Sequence, residues 1–294
     1  MAQVISQPRA SMDVRSRAVR AWKIIESLFW YIVLIAVAIV AAFPFIWVLA
    51  MSFKGPTDPV VSVPPQFIPQ HPTFDNYVRV WKMLPMANFF LNSIVVTVGN
   101  VLLNVTVAAL AAYPFAKMKF PGRDAIFYFL LATLIVPMAL AAIPSFILAV
   151  KVFHYRDQLI SLVLPNMVSV FNIFLLRQAF KGVPNDLIDA AKMDGAGEFR
   201  IWWSVLIPIV RPSLAAAAIN QFVFMWNEFF WAQLMLPTMT HRTLPVGLLA
   251  LQSGFVSDSR GMAAGVVITV VPIIIFFALL QRQFTQGLSG AIKG

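Results

Sequence analysis

The sequence predicts an all-α, polytopic membrane protein with six transmembrane helices and a cytoplasmic helix-turn-helix loop. Three observations predict it. The 294 residues are 60% hydrophobic and only 12% charged, whereas a soluble domain carries about 25% charged residues. Six charge-poor windows are each long enough to cross a bilayer, which takes about 20 apolar residues. The basic residues also sort by alternate loops, with 15 of the 22 on one side, and the positive-inside rule makes that side cytoplasmic. This composition argues against a soluble enzyme, and excludes a disordered or collagen-like chain. The absence of cysteine excludes disulfides and thiolate metal sites. Twenty prolines and 26 phenylalanines suit a helix bundle in which some members are bent or broken.

Residues 1–27 form a basic arm with Arg9, Arg15, Arg17, Arg20 and Lys23. The apolar run that follows is too long for a secretory h-region. The arm therefore reads as an uncleaved cytoplasmic tail attracted to anionic lipid of the inner leaflet. The predicted spans are 28–52, 89–116, 125–150, 159–180, 212–237 and 262–281, with a second cytoplasmic tail at 283–294. Residues 28–87 comprise the first span and an external loop that contains Pro56, Pro59, Pro64, Pro65, Pro69 and Pro72. Fixed φ angles make that loop a stiff connector, and Thr73–Val78 opens a short surface helix. Pro137, Pro144 and Pro165 are positioned to kink the third and fourth spans. The net charge of +10 does not indicate nucleic-acid binding, because the basic residues sort by membrane side rather than into one patch.

The loop between spans four and five, 184–208, is the most informative stretch. Asn185 is placed to cap a short helix after Pro184, Asp186 suits its positive end, and Gly195 permits the reversal that ends it. Asp194 is then placed to cap a second helix with Glu198 in its first turn. Leu187, Ile188 and Ala191 share a face of the first helix, and Phe199, Trp202, Trp203 and Leu206 form a stripe on the second. An amphipathic connector at the membrane interface would explain the tryptophans. It does not explain the small residues Ala190, Ala191, Gly195, Ala196 and Gly197, which leave room for another protein to approach.

Asp189-Ala190-Ala191, Asp194-Gly195-Ala196 and Val205-Leu206-Ile207-Pro208 with Pro212 resemble the EAA loop of permease subunits in binding-protein-dependent ABC importers. Asp189 departs from the family's usual glutamate but keeps the charge. Trp226-Asn227-Glu228-Phe229 resembles the fifth-helix motif of the carbohydrate, maltose-type branch, and Gln281 to Gly294 resembles its C-terminal signature. The resemblance covers nearly the whole chain and implies that 88–282 is a type-1 importer transmembrane domain in a bacterial or archaeal cytoplasmic membrane, with both termini cytoplasmic. It implies that Asp189, Ala190, Ala191, Asp194, Gly195, Ala196 and Pro208 couple to a cytoplasmic ABC ATPase dimer. It also implies a second permease subunit, an external solute-binding protein and a sugar substrate. No Gly-Lys pair occurs anywhere, so the phosphate-loop motif is missing. ATP and Mg would be bound by the partner ATPases, with no cofactor and no enzymatic activity in this chain.

Polar residues inside spans are costly and therefore informative. Asn220, Gln221, Phe224, Asn227, Glu228 and Trp231 fall on one helical face of span five. Amides, a carboxylate and aromatic rings suit the hydroxyls and C–H faces of a sugar. Ser93, Thr97, Asn100 and Asn104 share a face of span two, and Asn166, Ser169 and Asn172 recur in span four. Asn100 and Asn172 are the pathway candidates there, with interhelical packing the alternative role. Glu228 is expected to face a cavity or a partner. Between spans five and six, Ser253, Gly254, Phe255 and Asp258 occupy the position of the loop that reaches into the binding protein in maltose-type importers, a plain surface turn being the alternative. His71, His154 and His241 lack ligand spacing, and no metal is expected. An ion-driven transporter would show a charge relay or repeated halves, and a membrane enzyme a catalytic set; neither is evident.

Overall fold

The computed structural model describes residues 10–252 and 258–292. Its elements, in order, are α1 (Ala10–Ser52), α2 (Asp75–Met83), α3 (Met86–Lys117), α4 (Arg123–Ala132), α5 (Met138–Ile147), α6 (Ile160–Val163), α7 (Val170–Lys181), α8 (Asn185–Met193), α9 (Glu198–Arg200), α10 (Ile207–Ile209), α11 (Arg211–Trp226), α12 (Phe230–Met235), α13 (Leu244–Gly247) and α14 (Ser259–Ile292). Short 3₁₀ and π turns extend several of them. Among the described residues there is no strand, only an isolated bridge between Lys54 and Pro72. The chain is thus all-α.

Among the described residues, three stretches are unbroken and apolar enough to cross a membrane: Trp22–Ser52, Met86–Lys117 and Ser259–Leu279. Side chains of the first stretch are exposed on nearly all sides, as a lipid-facing helix requires. Its helix begins at Ala10, so much of the expected tail continues the same helix. At the other end, α14 runs to Ile292 and takes in most of the second tail.

The other three windows are not the continuous helices expected. The 125–150 window bends by 102° between its halves. Pro137 forces the preceding Val136 out of the helical region, to ψ 118°, through the clash of its ring with the residue before it. The 159–180 window is interrupted between α6 and α7 around Pro165, and Ser169 restarts it by accepting the Asn172 N–H at 3.2 Å. The 212–237 window breaks at 227–229 without proline or glycine. There the Glu228 carboxylate accepts the Trp231 N–H at 2.8 Å and opens α12. A second bend, of 81°, separates Glu198–Ile209 from Arg211–Trp226.

Apolar packing concentrates where α3, α7 and the 185–210 segment meet. Ala109, Ala112, Tyr113, Leu176, Phe180, Ile188, Ile201, Trp202 and Leu206 belong to one buried cluster. Arg177, itself buried, ties the neighbouring helix ends together. Its guanidinium donates to the Phe115 carbonyl at 3.1 Å and to Asp124 at 3.0 Å, and lies 3.8 Å from the Phe127 ring centroid.

At the opposite end, the proline-rich loop is fastened down. Buried Lys54 donates to the Pro59 carbonyl at 2.8 Å. Arg260, at the start of α14, donates to the carbonyls of Pro56 and Asp58 at 3.2 and 2.6 Å. The Asp58 carboxylate accepts backbone N–H groups from His71 at 3.2 Å and Gly55 at 3.3 Å. Burial pushes that carboxyl up, but the hydrogen bonds from His71 and Gly55 outweigh it and hold it below the usual aspartate value of 3.8. A lowered native pKa contributes stability at neutral pH that is lost as pH falls through it. Limited proteolysis of the 55–72 loop is therefore expected to be slow at neutral pH and to accelerate only below about pH 3.8. In Asp58→Asn it is expected to be faster already at neutral pH. Equal cleavage rates for the two proteins at neutral pH would show that this carboxylate does not hold the loop.

Candidate functional site

The 184–210 segment is a two-helix unit that starts and turns differently from expectation. Asn185 does not cap α8; its side chain accepts from the Lys117 ammonium at 2.8 Å, which also donates to the Val183 carbonyl at 2.6 Å. Pro184 fills the cap position instead, a place where a missing N–H costs nothing. Asp194 does not cap the second helix either. It ends α8, and Gly197 occupies the N-cap of α9. Gly195 makes the reversal with φ +77°, and the N–H groups of Asp194, Gly195 and Ala196 bond back to α8 carbonyls. Glu198 is in the first turn of α9 as expected. Its carboxylate accepts from the Tyr113 hydroxyl and pairs with Lys192 at 2.9 Å. That bond and the charge beside it hold the exposed Lys192 ammonium above its usual range.

The expected apolar stripes divide between two faces. Ile188, Ile201, Trp202 and Leu206 are buried, and the Trp202 indole donates to the Ala109 carbonyl at 3.2 Å. Met193, Phe199 and Trp203 are 88%, 69% and 60% exposed. Asp189, Ala190, Asp194, Gly195 and Pro208 are exposed beside them, with Ala191 and Ala196 half-buried. The segment thus presents an apolar surface with acidic residues on it, on a base that is itself core. A π-helical turn at Ile201–Leu206 also departs from the α-helical spacing that assigned Trp202, Trp203 and Leu206 to one side with Phe199.

The polar residues of the interior also separate into two groups. Ser93, Thr97, Asn100 and Asn104 share a buried face of α3, as the spacing predicts. The Gln221 amide donates to Asn100 at 2.6 Å. The Asn172 amide donates to Asn104 at 2.8 Å and to Gln221 at 3.3 Å, and Asn172 accepts from Asn220 at 3.3 Å. Asn100, Asn172 and Gln221, three of the pathway candidates, are therefore enclosed in a hydrogen-bonded knot joining α3, α7 and α11. The span-five residues do not form one face, because α11 stops at Trp226. Gln221 points into the knot, while Asn220, Phe224 and Asn227 are exposed. Trp231 is buried and donates to the Ser161 carbonyl at 2.9 Å.

Glu228 does face a cavity. A space of about 380 Å³ is lined by Ser145, Pro165, Asn166, Glu228, Phe230 and Trp231, with two alanines of α5. It sits where the three interrupted windows come together, which is where broken helices free polar groups from lipid. Its carboxylate, amide, hydroxyl and rings are of the kinds that bind sugars. Another cavity, of about 510 Å³, is lined by apolar side chains of α3, α11 and α14, with Tyr77 at its edge.

Of the loop between the last two spans, Ser253, Gly254 and Phe255 lie outside the described residues. Asp258 pairs with Arg79 at 2.8 Å and accepts the Gly261 N–H at 2.9 Å. Among the described residues no group of three or more His, Asp or Glu side chains could hold a metal ion. His71 and His241 instead pair with Asp58 and Asp157, at 3.1 and 3.2 Å. Sequence reasoning missed Tyr113, Lys117 and Arg177. Each is a polar residue near the basic end of an apolar helix, and nothing in the local pattern specifies its partner.

Residues 104–290 match a family model described as binding-protein-dependent transport system inner membrane component. The chain is 33% identical over 260 residues to a diacetylchitobiose uptake system permease protein of Streptomyces coelicolor, covering 87% of this chain and 85% of that one. It is 32% identical over 261 residues to an arabinooligosaccharides transport system permease protein of Halalkalibacterium halodurans, with 88% and 93% covered. It is 30% identical to a lactose transport system permease protein of Rhizobium radiobacter over 263 residues, with 90% and 95% covered. A chain of a bacterial ABC transporter that imports the acidic polysaccharide alginate shares the fold, with a TM-score of 0.75 at 23% identity over 96% of this chain and all of that one.

Proposed function

This chain belongs to the family of inner membrane components of binding-protein-dependent transport systems, and from that membership we propose that it is the transmembrane permease subunit of an ATP-driven carbohydrate importer. A second permease would complete the translocation path. A cytoplasmic ATPase dimer would dock on the 185–209 segment, and an external solute-binding protein would dock at the opposite end, near 253–258. In this reading both termini are cytoplasmic. Relatives named for diacetylchitobiose, arabinooligosaccharides and lactose favour a saccharide substrate, and the chain carries no ATP site of its own.

The observation that carries the reading is the two-sided 185–209 segment. Its buried side chains are continuous with the helix core, and it exposes Met193, Phe199 and Trp203 as well as Asp189 and Asp194. Large apolar groups that protrude from a firmly packed base suit a docking surface. For the sugar we assign the cavity at the three helix breaks, with Glu228 and Asn166 addressing hydroxyls and Trp231 and Phe230 supplying apolar faces. The exposed Asn220, Phe224 and Asn227 are then available to the second permease. Asn100, Asn172 and Gln221 hold helices together in this reading.

The test is purification of the chain from its native membrane, followed by reconstitution with the proteins that accompany it. An ATPase should co-purify, and saccharide uptake should require ATP. Uptake abolished by a protonophore while ATP is held constant would reject the reading in favour of an ion-driven transporter.

A further inference from the structure

The 185–209 segment can transmit a displacement only through the elements it grips, and it grips α3 with unusual directness. The Tyr113 hydroxyl donates to Glu198, the Trp202 indole donates to the Ala109 carbonyl at 3.2 Å, and the Lys117 ammonium reaches back to Val183 and Asn185. Ala109, Tyr113 and Lys117 are spaced at intervals of four, so they form one stripe along α3. Along sequence, by contrast, the segment joins α11 through the 81° bend at Val210, so the two helices do not share an axis. The far side of α3 carries Asn100 and Asn104, the anchors of the amide knot to α7 and α11. One continuous helix, with Pro114 inside it, thus runs from the docking segment to the polar interior.

We infer that Tyr113 is a positioning residue for energy coupling. Its hydroxyl, held by Glu198, locks the second helix of the segment onto α3, so that movement imposed on the segment is delivered to α3. This inference rests on the proposed docking of an ATPase to the segment. Lys192, which holds the other oxygen of the same carboxylate, is half exposed and bonds no residue of α3 in that pair, so the lock onto α3 is assigned to the Tyr113 hydroxyl.

The experiment measures sugar transported per ATP hydrolysed in the reconstituted complex. Tyr113→Phe removes only the hydroxyl and keeps the ring against Phe180. It is expected to assemble with the ATPase and hydrolyse ATP at near the unmodified rate, with the transport ratio lowered between about two- and thirtyfold. Glu198→Gln, which still accepts the hydroxyl, should keep the ratio, as should Lys192→Gln. Glu198→Ala should lower it as Tyr113→Phe does. An unchanged ratio in both Tyr113→Phe and Glu198→Ala overturns the inference. So does a loss of assembly or of ATP hydrolysis in both, since that marks a merely structural contact. The parent reading fails separately, in the unmodified protein, if no ATPase binds the chain or if ATP does not drive uptake.

Discussion

Gly195→Val is expected to lower ATP-driven sugar uptake by up to about a hundredfold, whereas Gly195→Asn should keep most of it. Gly195 turns the chain between α8 and α9 at φ +77°, a region that β-branched residues avoid and that asparagine tolerates. A methyl group added there would meet nothing within 4 Å, so the penalty is purely conformational. It amounts to about 1–3 kcal/mol. The valine chain escapes the strain by unwinding the turn, which separates Met193 from Phe199 and Trp203 on the docking face. Ile188 before the turn and Ile201, Trp202 and Leu206 after it are each anchored in a core cluster shared with α3 and α7, so the protein should still reach the membrane in normal amounts. Uptake and co-purification of the ATPase, measured in parallel for both variants, check this. Equal uptake by the valine and asparagine variants would show that the left-handed turn is irrelevant to docking.

The all-α, membrane-spanning character was legible because it rests on composition and length, which need no knowledge of partners. The two-helix loop was legible for a similar reason: Gly195, Pro184 and the apolar positions act locally. What sequence could not provide was the fate of periodicity across a break. The stripe from Asn220 to Trp231 assumed an uninterrupted helix, yet α11 ends at Trp226 and a new helix starts at Phe230, its Trp231 N–H donating to Glu228. The stripe from Phe199 to Leu206 assumed α-helical spacing, whereas Ile201–Leu206 is a π turn and both Phe199 and Trp203 are exposed. Asn185 and Asp194 are good cap residues by type. Lys117 recruits the first from a distant helix, and Gly197 offers a start one turn later than the second. Each departure comes from a competing contact or backbone adjustment that no local window contains.

The second large effect concerns Asn172, and it separates helix packing from sugar contact. Asn172→Leu keeps similar bulk but removes a donor and an acceptor from the centre of the amide knot. Asn104 and Gln221 each lose a hydrogen bond, and Asn220 loses its acceptor. Stranding a buried polar group costs about 1–3 kcal/mol, while interhelical bonds in membranes average nearer about 0.6 kcal/mol because the separated helices find other partners. Asn104 and Gln221 each keep one bond, to Asn166 and Asn100, so the expected loss is about 2–4 kcal/mol in all. It should be visible as a clear fall in thermal unfolding temperature in detergent. Asn220→Ala, which removes a single bond at an exposed position, should cost less than about 1 kcal/mol. If Asn172 instead touched the sugar, its replacement would leave the unfolding temperature in place and raise the KM for uptake. The buried amides of α3, α7 and α11 predict the opposite pattern, an unstable protein whose surviving fraction has a normal KM, while Glu228→Gln should leave stability nearly unchanged and alter KM.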